Sequence, residues 1–179
     1  MRLLLIFENQ NKKSRCKAKA IKEKLKYRIT SINDVRVDAN HIEVDLFSDD
    51  VGDAYKISAD LNEKLIEIVD VNKEVNSDYR SYLIQGRFWE AHESLEERWK
   101  SEKNQKIKDS IRASIQFCAA MVHYQRCNDN TAKEILRRAA AIDSDIELVK
   151  STIGVDLGNI DRLDPDLASI ITQMINPNN

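Results

Sequence analysis

The stretch RLLLIF, residues 2–7, decides how the first half of the chain folds. Its apolar residues run without alternation, the pattern of a strand covered on both faces and therefore central in its sheet. Working outward, SRCKAKAIKEKLKY (14–27) predicts a helix opened by Ser14, with Ala18, Ile21 and Leu25 on one stripe. RITSINDVRV (28–37) and HIEVDLF (41–47) predict two strands joined by a hairpin turn at DANH, the second alternating through Ile42, Val44 and Leu46. A helix over 51–65 and a strand IEIVDV over 66–71 complete the order β-α-β-β-α-β. That order predicts a ferredoxin-like domain over 1–74.

After Lys73 the periodicity becomes helical and stays so, which predicts an all-α bundle over 75–179 and an α+β fold class for the whole chain. Asn76 or Ser77 can cap a helix from Asp78, and Gly86 inside that helix suggests a break or a close approach by another helix. Further helices are expected over 105–127, over 130–142 and near 165–175, with loop character in IGVDLGNIDRLDPD.

Composition bounds the function. With 179 residues, 42% hydrophobic and 32% charged, the chain is of soluble globular type and long enough to fold without staples. A net charge of −2 gives no overall affinity for an acidic polymer. Cys16, Cys118 and Cys127 are odd in number and lack a CxxC spacing, which argues against a disulfide framework and for a reducing compartment. The start, MRLLLIFENQ, has an apolar run too short for an anchor and no cleavage site, so a cytoplasmic location away from membranes is expected.

The second half holds one unusual helix, GRFWEAHESLEERWK, residues 86–100. At about 100° per residue, Phe88, Leu95 and Trp99 fall within roughly 60° of His92 on one side, and Glu96 and Trp89 lie about 40° and 60° away on the other. Arg87, Glu90, Glu93, Ser94, Glu97 and Arg98 occupy the opposite arc. The most hydrophobic stripe is thus expected to carry an imidazole at its centre and a carboxylate one turn away. On the helix over 105–127, Gln116 and His123 stand two turns apart with small alanines between them, open to the same pocket.

Three readings of this constellation are open, one of them a metal-free pocket for a small molecule. His92 and Glu96 can satisfy each other in the core. Alternatively His92, Glu96 and His123 can ligate a divalent metal (zinc, iron or manganese), with Gln116 behind them and Trp99, Glu93 and Tyr124 lining the pocket. A zincin is disfavoured: in the pentapeptide HESLE (92–96), Glu96 stands where the second histidine of HExxH belongs.

A rival function lies in residues 12–28, which hold nine Lys/Arg (including Lys12, Lys13, Arg15, Lys17, Lys19 and Lys22) against the single acid Glu23. Such a cluster suits phosphates of RNA or DNA. The strands offer only Phe7 and Phe47 as aromatics, so base stacking on the sheet is not expected. A third reading makes the N-terminal domain a docking element for a homodimer or a protein partner. His41, beside the hairpin turn, is expected to be exposed, and the cysteines to be small buried hydrophobes.

The helical half resembles the domain of unknown function 309 family. Its His-x-x-x-Glu-x-x-(Trp/Tyr) motif is matched by His92, Glu96 and Trp99, with Gly86, Phe88, Trp89, Ala91 and Glu93 around it. Gln116, His123, Asn128, Ala132 and GVDL (154–157) continue the likeness, which spans about residues 77–165. The resemblance implies a compact helical domain whose motif is suspected of metal binding, and it implies no established reaction.

Overall fold

The structure, a computed structural model, describes residues 1–71 and 78–159. The chain divides into two compact units: Met1–Glu74 with Gln125–Cys127, and Val75–Tyr124 with Asn128–Asn179. The fold is mixed α+β, a four-stranded antiparallel sheet followed mostly by helices.

In the first unit the order is β1 (Arg2–Glu8), a 3-10 turn (Arg15–Lys17), α1 (Ala18–Lys26), β2 (Ile32–Val37), β3 (His41–Phe47), α2 (Gly52–Leu61) and β4 (Leu65–Asp70). The strands lie in the order β2-β3-β1-β4, with every neighbouring pair antiparallel. β1 is therefore central, and residues Leu3 to Phe7 are all buried, as their unbroken apolar run requires. Leu3, Leu5 and Phe7 join Ala18, Ile21 and Leu25 of α1 and Ala54, Ile57 and Leu61 of α2 in one core. Ser14 caps the 3-10 turn, accepting from the Cys16 amide, so the helical stretch opens where its hydroxyl predicts but begins as a tighter turn.

The other face of the sheet is the surprise of this unit. Leu4 and Ile6 are buried there, and the register sets Leu4 opposite Asp45 and Ile6 opposite Glu43. Arg36 stands directly across from Glu43 on β2, and the two form an ion pair with Glu43 wholly buried. His41 is 5% exposed, contrary to its expected exposure at a turn, because its Nε2 lies 3.0 Å from Glu43 Oε1. Asp34 and Asp45 also face each other, and like charges in that position repel. Each is matched: Asp45 accepts from Arg2 Nε at 3.0 Å and Nη2 at 2.7 Å, and Asp34 accepts from Arg126 Nε at 3.0 Å.

Cys16 and Cys127 form a disulfide, with Cα atoms 4.8 Å apart, where the scattered cysteines argued for free thiols. A separation of 111 residues gave no local spacing by which to read the pairing. Cys118 is a buried free thiol.

In the second unit Asp78 caps α3 (Tyr79–Ile84), accepting from the Ser81 amide at 3.3 Å. Gly86 takes φ +72° and breaks the helix, as its place inside the periodic run suggested. Then follow α4 (Phe88–Ser101), α5 (Gln105–Gln125), α6 (Asp129–Ala140) and α7 (Ile146–Ile153). α7 is not among the expected helices; Asp145 caps it and Gly154 ends it in a left-handed conformation. Phe88, Ala91 and Leu95 of α4 pack with Phe117 and Met121 of α5, Leu136 of α6 and Val149 of α7. The helix expected near 165–175, and the caps Asn76 and Ser77, lie outside the described residues.

Burial alone would raise the Glu43 carboxyl, but the Arg36 guanidinium, and then His41, hold it down at about 2, from an ordinary 4.5. A lowered native value contributes stability that is complete above pH 4.5 and lost as pH falls towards 2. Acid titration of the unfolding free energy should therefore show a loss on the order of 3 kcal/mol across that window. Glu43→Gln should remove most of that slope while lowering stability at neutral pH.

Candidate functional site

The core-facing arc of α4 is not centred on His92. Phe88, Ala91 and Leu95 are at most 1% exposed, and Ser94 and Glu90 are buried beside them. The buried arc is therefore turned by roughly 90° from the expected one, away from Glu96 and towards Glu90. His92 remains at the edge with its side chain 23% exposed, and the Glu96 side chain is 39% exposed. The hydrophobic count misled because Trp89 and Trp99, the bulkiest residues, are only part-buried, and the small Ala91 occupies the centre.

His92 lies between two carboxylates. Its Nδ1 is 3.3 Å from Glu93 Oε1, and its Nε2 is 3.9 Å from Glu96 Oε1, beyond hydrogen-bond length. The two glutamates thus address opposite edges of the ring, whereas a metal needs its ligands to converge on one point at about 2 Å.

His123 does not join them. The Phe88 and Phe117 rings meet edge to face at 6.5 Å, and Lys108 Nζ sits 4.6 Å over the Trp99 ring. These contacts fix α4 and α5 as an antiparallel pair in which His92 is level with about residue 114. His123 and Tyr124 then lie roughly 14 Å farther along the axis, at about 1.5 Å per residue. Gln116 is within one turn of the His92 level and is part-buried. Trp99 packs against the helical core. Among the described residues no group of three or more His, Cys, Asp or Glu could hold a metal ion. The ligand set His92, Glu96 and His123 is not brought together.

The ionisable pair that is buried in this helix is Arg87 and Glu90, both placed on the polar arc by the sequence reading. Arg87 Nε donates to Glu90 Oε2 at 2.9 Å and Nη2 bonds the other oxygen, a bidentate pair. The Arg87 guanidinium also lies 5.0 Å over the Tyr82 ring. Glu90 sits in the first turn of α4, where the helix dipole favours a carboxylate. The signal was present in the sequence: Gly86 breaks the helix, so Arg87 becomes the residue before the first turn and can reach Glu90. A groove of about 220 Å³ lies elsewhere in this unit, between Arg80, Leu83 and Ile84 of α3 and Ser151 to Gly154 at the end of α7; no sequence-predicted site residue lines it.

On the first unit, the basic stretch divides into locked and open cations. Lys13 is held by Glu63, Lys24 Nζ donates to the Asp60 carbonyl at 2.7 Å, and Arg28 pairs with Asp60 at 2.7 Å. Lys12, Lys17, Lys19, Lys22 and Lys26 make no ion pair among the described residues. Lys19, Lys22 and Lys26, spaced i, i+3 and i+7, form one flank of α1, and Arg15 begins the same line. Tyr27, the next residue, is 92% exposed.

Removing one partner of a buried pair leaves an uncompensated charge, so Glu90→Gln should cost about 3–5 kcal/mol in chemical denaturation. Glu96→Gln, at a half-exposed position, should cost less than about 1 kcal/mol.

Comparison with known proteins bears on the helical unit. Neither curated proteins nor solved structures gave a match to the chain. The family model described as "Domain of unknown function (DUF309)" matches residues 77–135, about a third of the chain, within its C-terminal half. That span contains Arg87, Glu90, His92, Glu96, Gln116 and His123, so these residues lie in the part of the chain that is similar to this family.

Proposed function

We propose that the protein is a non-catalytic module that binds single-stranded nucleic acid through the lysine flank of α1. The observation that carries this reading is the absence, among the described residues, of any ion pair to Lys12, Lys17, Lys19, Lys22 and Lys26, while Lys13 and Arg28 pair with carboxylates and Lys24 is tied to a backbone carbonyl. Unpaired cations in a line release counterions when they meet phosphates, which favours association at low salt. The Tyr27 ring stands in solvent immediately after Lys26, offering a face on which an unpaired base can stack.

The first unit is read as ferredoxin-like: its strand order, its antiparallel pairings and its two helices on one face support that assignment. The sheet itself is unsuited to stacking bases, since Phe7 is buried and the face away from α1 and α2 carries paired charges. A membrane is the weaker partner for this flank. Ala18, Ile21 and Leu25 are used in the core, so α1 has no apolar face to insert; no helix among the described residues is long and apolar enough to cross a membrane. In this reading His92, Glu93 and Glu96 are a surface polar cluster of the helical unit, and divalent metal at His92 and Glu96 lacks a third ligand to support it.

Fluorescence anisotropy with a labelled oligouridylate tests the proposal. Wild type should bind with log affinity falling against log salt, at a slope of about −2 to −4 for three to five phosphate contacts. The triple variant Lys19→Gln, Lys22→Gln, Lys26→Gln should weaken binding and flatten that slope by about 2. No binding at low salt, or an unchanged slope in the variant, would refute it. If the flank instead docks a second copy or a protein partner, gel filtration would show association that the triple variant abolishes, without nucleic-acid binding.

A further inference from the structure

The disulfide between Cys16 and Cys127 is placed unlike a structural staple. Cys16 is exposed, in the turn that leads into α1, and Cys127 is part-buried. Cys16 is flanked by Arg15 and Lys17, with the unpaired Lys12 shortly before it. Cations beside a cysteine draw in an anionic thiol and stabilise the thiolates formed in exchange. Cys127 holds φ +60°, a left-handed backbone that a non-glycine residue keeps only where its surroundings fix it. The third cysteine cannot compete: Cys118 is wholly buried, and burial pushes its thiol well above the usual range.

We propose that Cys16–Cys127 is a thiol–disulfide exchange site for an anionic low-molecular-weight thiol of the glutathione class, and that its state regulates phosphate binding on the lysine flank. The second half rests on the nucleic-acid reading above. The thiolate attacks Sγ of Cys16, the more exposed of the two residues; a new sulfur–sulfur bond forms there, the Cys16–Cys127 bond breaks, and Cys127 leaves as a thiolate. A second thiolate attacks the outer sulfur of the mixed disulfide, releasing Cys16 as a thiolate and the small-molecule disulfide. Two electrons pass from two thiols to the protein, and solvent supplies the two protons its thiolates take up. The reverse reaction uses the small-molecule disulfide as oxidant. Closure ties the turn carrying Arg15 and Lys17 to Cys127; opening frees that turn at the head of the lysine line.

The test uses the full chain equilibrated in glutathione buffers and analysed by intact mass and peptide mapping. Wild type should pass reversibly between an oxidised form linked at Cys16 and Cys127 and a form with both thiols free. Cys127→Ser should accumulate a glutathione adduct on Cys16, and Cys16→Ser should give severalfold less adduct on Cys127. A link that never forms with glutathione disulfide, one that glutathione cannot open, or an adduct that favours Cys127 would overturn the exchange site. Oligouridylate binding by the two forms should then differ by about fivefold or more. Equal affinities would overturn the regulation and leave the exchange; no binding by either form would overturn the nucleic-acid reading and the regulation together, while the mass data still decide the exchange.

Discussion

A charge taken out of water must meet its counter-charge at once, and that constraint organises both units. On the sheet, Glu43 is wholly buried and is tolerated because Arg36 lies directly across the strand and His41 stands two residues away. At the start of α4, Glu90 is wholly buried and is tolerated because the break at Gly86 presents Arg87 to it. Each pair comes from elements the backbone brings into fixed register, a strand pair in one case and a helix first turn in the other. Neither pair could persist half-formed, so each helps select a single arrangement of its unit.

The same constraint separates structural from available charge. Arg2, Arg36, Arg87 and Arg126 are committed to carboxylates within their own units. Arginine suits that work, since its planar fork bonds a carboxylate in two places. In the first unit, lysines without an ion pair among the described residues line a flank of α1 whose apolar side is already used against the sheet. On the proposed reading a partner meets that flank of α1, and the His92 cluster is an edge feature of the helical core.

Much of the fold was legible because it depends on local pattern. The unbroken apolar run of β1 announced a strand buried on both faces, the alternation of β3 fixed its register against the core, and the turn at residues 38–40 marked the hairpin. α7 escaped because eight residues offer too short a period to stand out from the loop character that follows. The site was less legible for a different reason. A helical wheel weighs residues by apolarity, so it drew the arc through two tryptophans and His92, whereas packing selected the small Ala91 and accepted Glu90 with its arginine. The three-ligand pocket needed a register between α4 and α5 that sequence does not contain; the Phe88–Phe117 and Trp99–Lys108 contacts set it and carry His123 out of reach. The disulfide was hidden likewise, its two cysteines being 111 residues apart.

The measurement that bears most directly on this division is amide chemical-shift mapping of the isotopically labelled full chain, titrated first with an oligouridylate and then with zinc or manganese. The account predicts that the oligonucleotide perturbs Arg15 through Tyr27 along the α1 flank and leaves His92, Glu93 and Glu96 unmoved. It predicts no saturable response of α4 to either metal. Perturbations confined to α4, or a stoichiometric metal response at His92 and Glu96 with none on α1, would contradict it and return the function to the helical unit.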